Sequence, residues 1–261
     1  MVCVVMGLSL LAPWLTPHDP AAVDPPNALQ PPSPRHPLGT DRLGRDVLSR
    51  VLQGGRISLM AGGAAVVAGA GIGVPLGLAC GYWGGRLDFL GMRVVDGLMT
   101  FPALLLALLV ISAFGPGPLQ ATAAVGAVLI PGFARLSRGL TLVVRTQEFV
   151  LAARALGSSD GSILRTHILP HVTGPLLVQL TAALSGAVLA EASLSYLGLG
   201  AQPPTPSWGG MLQEARDVLF VAPWMAIGPG VALFLSVLGW NLVGDGLRDL
   251  LDPYRRRRPA L

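Results

Sequence analysis

Long apolar runs, separated by short breaks that carry arginine, constrain this chain more than any other feature. The runs fall at about 1–15, 57–82, 94–115, 119–134, 172–199 and 219–244. A helix needs about 20 consecutive apolar residues to cross the hydrocarbon of a bilayer. The runs at 57–82 and 219–244 reach that length outright. The run at 94–115 reaches it if Asp96 sits at the interface, and the run at 172–199 passes through Glu191. The run at 119–134 is shorter and holds Pro131, which transmembrane helices tolerate. Only 12% of the 261 residues are charged, against about 25% in a soluble domain. Too few charges remain to coat a globule of this size, whereas lipid accepts an apolar exterior. The reading is an all-α integral membrane protein of about six transmembrane helices.

The run at 1–15 is too short to span and ends near Pro13. It lacks the positive n-region and the small-residue cleavage site of a secretory signal. It is read as a truncated first transmembrane helix whose beginning is missing, as a misplaced start codon would produce. Residues 16–56 form a connection rich in proline, which excludes a regular helix over most of it. Within it, Leu43, Val47, Leu48, Val51 and Leu52 share one helical stripe. That stripe predicts an amphipathic helix over 41–53, lying on the membrane surface or packed on a partner protein. Residues 57–250 make the transmembrane domain, and 251–261 make a basic tail.

All 18 cationic side chains are arginine. Six spans divide them into two sets. One set holds Arg86, Arg93, Arg135, Arg138, Arg145, Arg154, Arg165, Arg248 and Arg255 to Arg258; the other holds Arg35, Arg42, Arg45, Arg50, Arg56 and Arg216. The richer set is expected in the cytoplasm. That places the C-terminus inside and the 16–56 and 200–218 segments outside. The Arg255–Arg258 run is an anchor on anionic lipid, and Arg248 is spaced for an ion pair with Asp252. Asp96 is read as a helix-start acid of structural value. The pI of about 9.8 does not indicate nucleic acid, because the arginines interrupt apolar runs and form no continuous basic face.

Catalytic chemistry is not in evidence. The chain contains no lysine, and a P-loop needs one on the β- and γ-phosphates. Cys3 and Cys80 lie in apolar runs and make no disulfide framework. Of the four histidines, His167 and His171 have a helical spacing that would suit a metal. Pro170 interrupts them and no acidic or thiol partner is near, so no metal site is expected. Gly69, Gly73, Gly77 and Gly81 repeat every four residues and would bare one helix face for close packing. Glu191 is either part of a pathway or a carboxylate near the outer interface, hydrogen-bonded to a neighbouring helix end.

The most informative segment runs from Glu148 to Pro170. Phe149, Ala152, Ala153 and Leu156 make a small apolar face at helical spacing. Gly157 suits the left-handed position after a helix end. Ser159 or Asp160 can cap a second short helix, which stops before Pro170. The expected product is a helix–turn–helix elbow whose apolar face wants a groove on another protein.

This segment resembles the coupling loop of ABC importer permeases, written EAA-x3-G-x9-I-x-LP. Ala152, Ala153, Gly157, Leu169 and Pro170 match in register; Leu151 and His167 stand where that motif has Glu and Ile. Both fit the oligopeptide/dipeptide/nickel branch, which reads close to E-[YF]-V-x-A-A-R-A-L-G and H-I-L-P. Three further stretches are similar to the second permease subunit of that branch: His36 to Asp41 with Gly44 to Asp46; Glu191 to Gly200 with Gln202 and Trp208-Gly209; and Asn241 to Asp249 with Asp252-Pro253.

The resemblance implies a type I permease bundle with a cytoplasmic coupling helix in a loop at 139–170. Glu148, Phe149, Ala152, Ala153, Leu156, Gly157, Leu169 and Pro170 would meet the ATPase. It also implies a homologous second permease, two ATP-binding-cassette ATPases and an extracytoplasmic solute-binding protein. ATP and Mg would be held by the partners, with no cofactor on this chain. The implied function is import of di- or oligopeptides through the cell membrane. Nickel and glutathione are the alternatives in the same architecture. An ion-gradient-driven secondary transporter is the alternative outside it, and would want the inverted repeats and broken polar helices that the sequence does not display.

Overall fold

The computed structural model describes residues 7, 9 and 11–251. Its longest helices follow the apolar runs but begin and end elsewhere. The first, α1 (Val47–Trp83), starts where the Asp46 carboxylate accepts from Ser49 N (2.8 Å) and Ser49 Oγ (2.7 Å), satisfying an orphan amide of the first turn. It runs for 37 residues and stops at Gly84, whose φ of 66° turns the chain. At 1.5 Å per residue it is about 55 Å long, well beyond the hydrocarbon thickness of about 30 Å.

That length corrects the expectation of a separate amphipathic helix over 41–53. Residues 47–53 are the first turns of α1, and the chain itself buries Val47 and Val51 of the stripe, half-buries Leu48 and Leu52, and leaves Leu43 exposed. Val47 and Val51 are buried among Met211, Ala215, Ala222 and Met225.

The expected span at 94–115 is also revised. Two helices, α2 (Gly85–Met99) and α3 (Ala103–Phe114), meet at a 95° bend. Pro102 has no amide to donate, and it pushes Phe101 away from helical backbone. Thr100 closes the end of α2, its N (3.3 Å) and Oγ1 (2.6 Å) both donating to the Gly97 carbonyl. Asp96 therefore lies near the end of α2, not at a helix start. Arg135 donates to it (2.6 Å), and Arg138 donates to Asp88 (2.6 Å).

The next helix, α4 (Pro118–Val144), extends ten residues past the apolar run because those arginines find partners on α2. After the elbow, described below, α6 (Asp160–Tyr196) rises for 37 residues. A short helix, α7 (Trp208–Ala215), and a long one, α8 (Trp224–Leu251), complete the described chain. Among the described residues four helices are long and apolar enough to cross a membrane, and five if the bent pair counts as one span. The fold is the expected all-helical bundle. Most of the run at 1–15, the Asp252 expected to pair with Arg248 and the Arg255–Arg258 run lie outside the described residues.

The bundle is organised on α1 and α4. Gly69, Gly73, Gly77 and Gly81 face α4. A Cβ at Gly69 would lie 2.8 Å from Leu129 Cβ, one at Gly73 2.5 Å from the Ile130 carbonyl, and one at Gly81 2.7 Å from Thr141 Cβ. At Gly77 it would overlap Ser137 Oγ and the Ala134 carbonyl. Only bare Cα atoms permit this approach. Ala65, Val66, Ala124, Val125, Phe133 and Ala187 fill the middle of the bundle.

The chain thus has two ends. The connection end carries residues 16–46 and 198–222; the elbow end carries 145–160. Leu251 reaches the elbow end, its Cδ1 3.9 Å from a Cβ placed at Gly174.

Candidate functional site

At the elbow, α5 (Glu148–Ala155) begins after the extended Gln147 and carries Glu148 in its first turn and Arg154 in its last. Both charges suit the helix dipole. The exit is a Schellman turn: Gly157 N donates to the Arg154 carbonyl (3.0 Å) and Ser158 N to the Ala153 carbonyl (3.1 Å). Gly157 adopts φ +85°, and a Cβ there would meet nothing within 4 Å. Conformation alone therefore selects glycine. Ser159 Oγ then accepts from Ser162 N (3.4 Å) and starts α6.

The elbow differs from the sequence expectation in one mechanical respect. The second helix does not stop before Pro170. It passes through a π-helical turn at Ile163–Ile168 and continues as Leu169–Tyr196. The widened turn leaves room for a proline ring where an ordinary turn would clash with the carbonyl four residues back. Leu169 and Pro170 are therefore interior residues of one long helix.

The face of α5 also divides. Val150 and Ala153 are buried against Tyr82, Ile163, Ile168, Val172 and Leu176. Ala153, expected on the partner-facing side, faces the bundle instead, and Val150 seats the helix beside it. Phe149 is 38% exposed and stacks on His171 (ring centroids 4.6 Å). What stays open is Ala152, Leu151 (51% exposed) and Leu156 (87% exposed).

Polar contacts that the sequence did not reveal hold the elbow against α1. Tyr82 Oη donates to Asp160 Oδ1 (2.6 Å), and Trp83 Nε1 donates to Asp160 Oδ2 (3.4 Å). Arg145 Nη1 donates to the carbonyls of Gly81 (2.7 Å) and Tyr82 (3.2 Å), which the end of α1 leaves unpaired. The guanidinium of Arg154 lies 5.5 Å over the Tyr82 ring. Asp160 is 78 residues from Tyr82, so no local pattern links them.

At the connection end, Asp41 Oδ2 accepts from Arg45 Nε (2.6 Å), and Glu214 accepts from Arg45 (3.0 Å) and Arg50 (3.0 Å). Arg50 is 2% exposed. Trp208 Nε1 donates to the Val51 carbonyl (2.9 Å), and Trp224 Nε1 to the Thr40 carbonyl (3.1 Å). The stretches around Asp41, Trp208 and Trp224, remote in sequence, form one locked surface. Glu191 sits one turn and a half before the end of α6, 3% exposed, accepting from Ser195 Oγ (2.6 Å). That partner is on its own helix, and Oε2 has none among the described residues.

Against known proteins, residues 73–257 match the family described as binding-protein-dependent transport system inner membrane component. The chain is 48% identical over 253 residues to the glutathione transport system permease protein GsiD of Escherichia coli O1:K1 / APEC, covering 97% of this chain and 84% of that protein. The protein of the same description from Shigella boydii serotype 4 matches at the same identity and coverage. Among solved structures, an inward-facing conformation of the MetNI methionine ABC transporter superposes with TM-score 0.64 at 20% identity, over 78% of this chain and 96% of that one. An amino acid ABC transporter superposes with TM-score 0.51 at 18% identity, over 80% and 94%. These two similarities speak to the fold.

Proposed function

Since the chain belongs to the family of binding-protein-dependent transport system inner membrane components, and is thereby the membrane-spanning permease subunit of an ATP-driven importer rather than an enzyme, we propose that it conducts short peptides, with glutathione the first candidate, into the cell. One observation carries the mechanism: α5 is joined by the Gly157 turn to a single 37-residue helix, Asp160–Tyr196. A push on α5 from outside the bundle is transmitted along about 55 Å of helix, to the level of Glu191 and the connection end. Leu151, Ala152 and Leu156 supply the apolar contact for an ATPase groove, while Val150 and Ala153 keep α5 seated. ATP-driven closure of two ATPase subunits would then bias one of two packings of the bundle.

In this reading the elbow end is cytoplasmic, as its arginines favour. An inward C-terminus belongs to the same reading, and the end of α8 at Leu251, beside Gly174, supports it. The connection end faces outward and receives cargo from a solute-binding protein. A homologous second permease completes the pathway, and ATP and Mg sit on the partners. The cargo assignment is supported by the 48% identity to glutathione permeases; glutathione is itself a tripeptide. The test is uptake of labelled glutathione, a labelled dipeptide and nickel into cells with and without the chain. Loss of glutathione or dipeptide uptake on deletion is the expected result. Loss of nickel uptake alone would overturn the peptide assignment.

A further inference from the structure

We propose that His18, His36 and Asp46 form a binding site for a zinc-class divalent cation at the connection end. The three residues come from separate segments, and their ligand atoms all lie within 4.8 Å of one another. His36 Nδ1 is 2.9 Å from Asp46 Oδ1, and His18 Nδ1 is 3.9 Å from Asp46 Oδ2. Ligands held about 2.0–2.2 Å from a tetrahedral metal stand roughly 3.4 Å apart, and the two imidazoles approach the two oxygens of the one Asp46 carboxylate at 2.9 and 3.9 Å, one to each. The two rings lie side by side, with centroids 4.7 Å apart.

A plain hydrogen-bonded cluster does not account for His18. Its Nδ1 is buried, points at Asp46 across a gap too long for a hydrogen bond, and has no partner among the described residues. A buried nitrogen without a partner is costly; a shared cation supplies one. The supporting contacts are those of a metal centre's outer shell. Ser49 N and Oγ donate to Asp46 Oδ2, which fixes the carboxylate, and His18 N donates to Ser49 Oγ (3.2 Å). The His18 side chain is 33% exposed, so a water can complete the coordination. Two imidazoles and one carboxylate suit zinc or nickel and disfavour magnesium and calcium, which prefer all-oxygen shells.

Bound there, the cation would clamp residues 16–36 to the start of α1. Neither this role nor the site depends on the cargo. The sequence offered no sign of it, because the histidines are 18 residues apart and both lie in a proline-rich connection.

The test uses the full chain, purified in detergent with a tag free of histidine. Changing His167→Gln and His171→Gln leaves His18 and His36 as the only imidazoles, since the chain has four. Zinc is titrated into this parent and into the same protein carrying His18→Gln. One zinc per chain is expected, with affinity in the variant weaker by at least the roughly 10- to 100-fold that losing an outer-shell partner costs, and no displacement by equimolar magnesium. X-ray absorption at the zinc edge should show two imidazole ligands in the parent, a readout that stands even if His18→Gln fails to accumulate. Equal zinc affinity with and without His18, or a spectrum lacking imidazole, would overturn the site.

Discussion

A valine side chain at Gly77 would have nowhere to go, whereas one at Gly157 would have space but the wrong backbone. The two glycines therefore predict different failures. Gly77→Val drives Ser137 Oγ and the Ala134 carbonyl away from α1, at a cost of about 3 kcal/mol. Membrane abundance and detergent melting temperature should both fall. Gly157→Val faces only the φ of +85°, costing about 1 kcal/mol or more. Abundance should hold while partner retention drops, and Gly157→Asn should be milder. Equal loss of abundance in both valine variants would contradict the distinction. Glu214 offers a second residue-scale test. Glu214→Ala removes one of the two acids that Arg45 and Arg50 share, Asp41 being the other, a loss of about 2 kcal/mol for charge-assisted hydrogen bonds to a partly exposed carboxylate. An unchanged melting temperature would show that the lock at the connection end contributes nothing. The glycine stripe was legible because its period of four is local. The Glu214 lock was not, since 164 residues separate it from Arg50 and nothing in either neighbourhood names the other.

Among the helices, proline shows why element boundaries were harder to read than element existence. Pro75, Pro131, Pro175 and Pro229 lie inside continuous helices, and Pro170 is absorbed by the π-helical turn at Ile163–Ile168. Pro102, by contrast, stands at the 95° bend between α2 and α3. The difference is tertiary: α2 is tied to α4 through Asp88–Arg138 and Asp96–Arg135, so the chain turns where α2 must leave that contact. The existence of an elbow, its Gly157 turn and its apolar character were all readable from spacing. Which side of α5 faces inward was not, because Phe149, Ala152, Ala153 and Leu156 share the helix with Val150, and the bundle decides between the faces. Val150→Asp tests this seating directly. A carboxylate placed among Tyr82, Ile163 and Val172 should unseat α5, and trypsin should then cleave at Arg154 faster than in the wild type with insertion unaffected. Unchanged protection of Arg154 would mean that α5 is held by its polar contacts alone.

The whole molecule is a membrane bundle whose proposed lever, α5 with α6, works against a partner that hydrolyses ATP. The proposed orientation rests on the distribution of arginines, and Leu251, beside Gly174, puts the end of α8 at the elbow end of the bundle. A cysteine at Ser158 should be labelled on inverted vesicles and spared in intact cells; the reverse pattern would invert the topology. The chain's fold class was legible at this scale, because so few charges on so apolar a sequence leave lipid as the only compatible surroundings. If α5 couples this permease to an ATPase, the two should co-purify. The tagged chain is extracted from its native membrane, and bound Mg-ATP hydrolysis is measured for wild type and for Leu156→Glu, a position 87% exposed and outside the packed face. The wild type should bring down an active ATPase, while the variant is recovered at equal yield with the activity reduced at least tenfold, equivalent to about 1.4 kcal/mol of lost contact. A wild-type preparation without ATPase, or a variant that retains it in full, would contradict the coupling role.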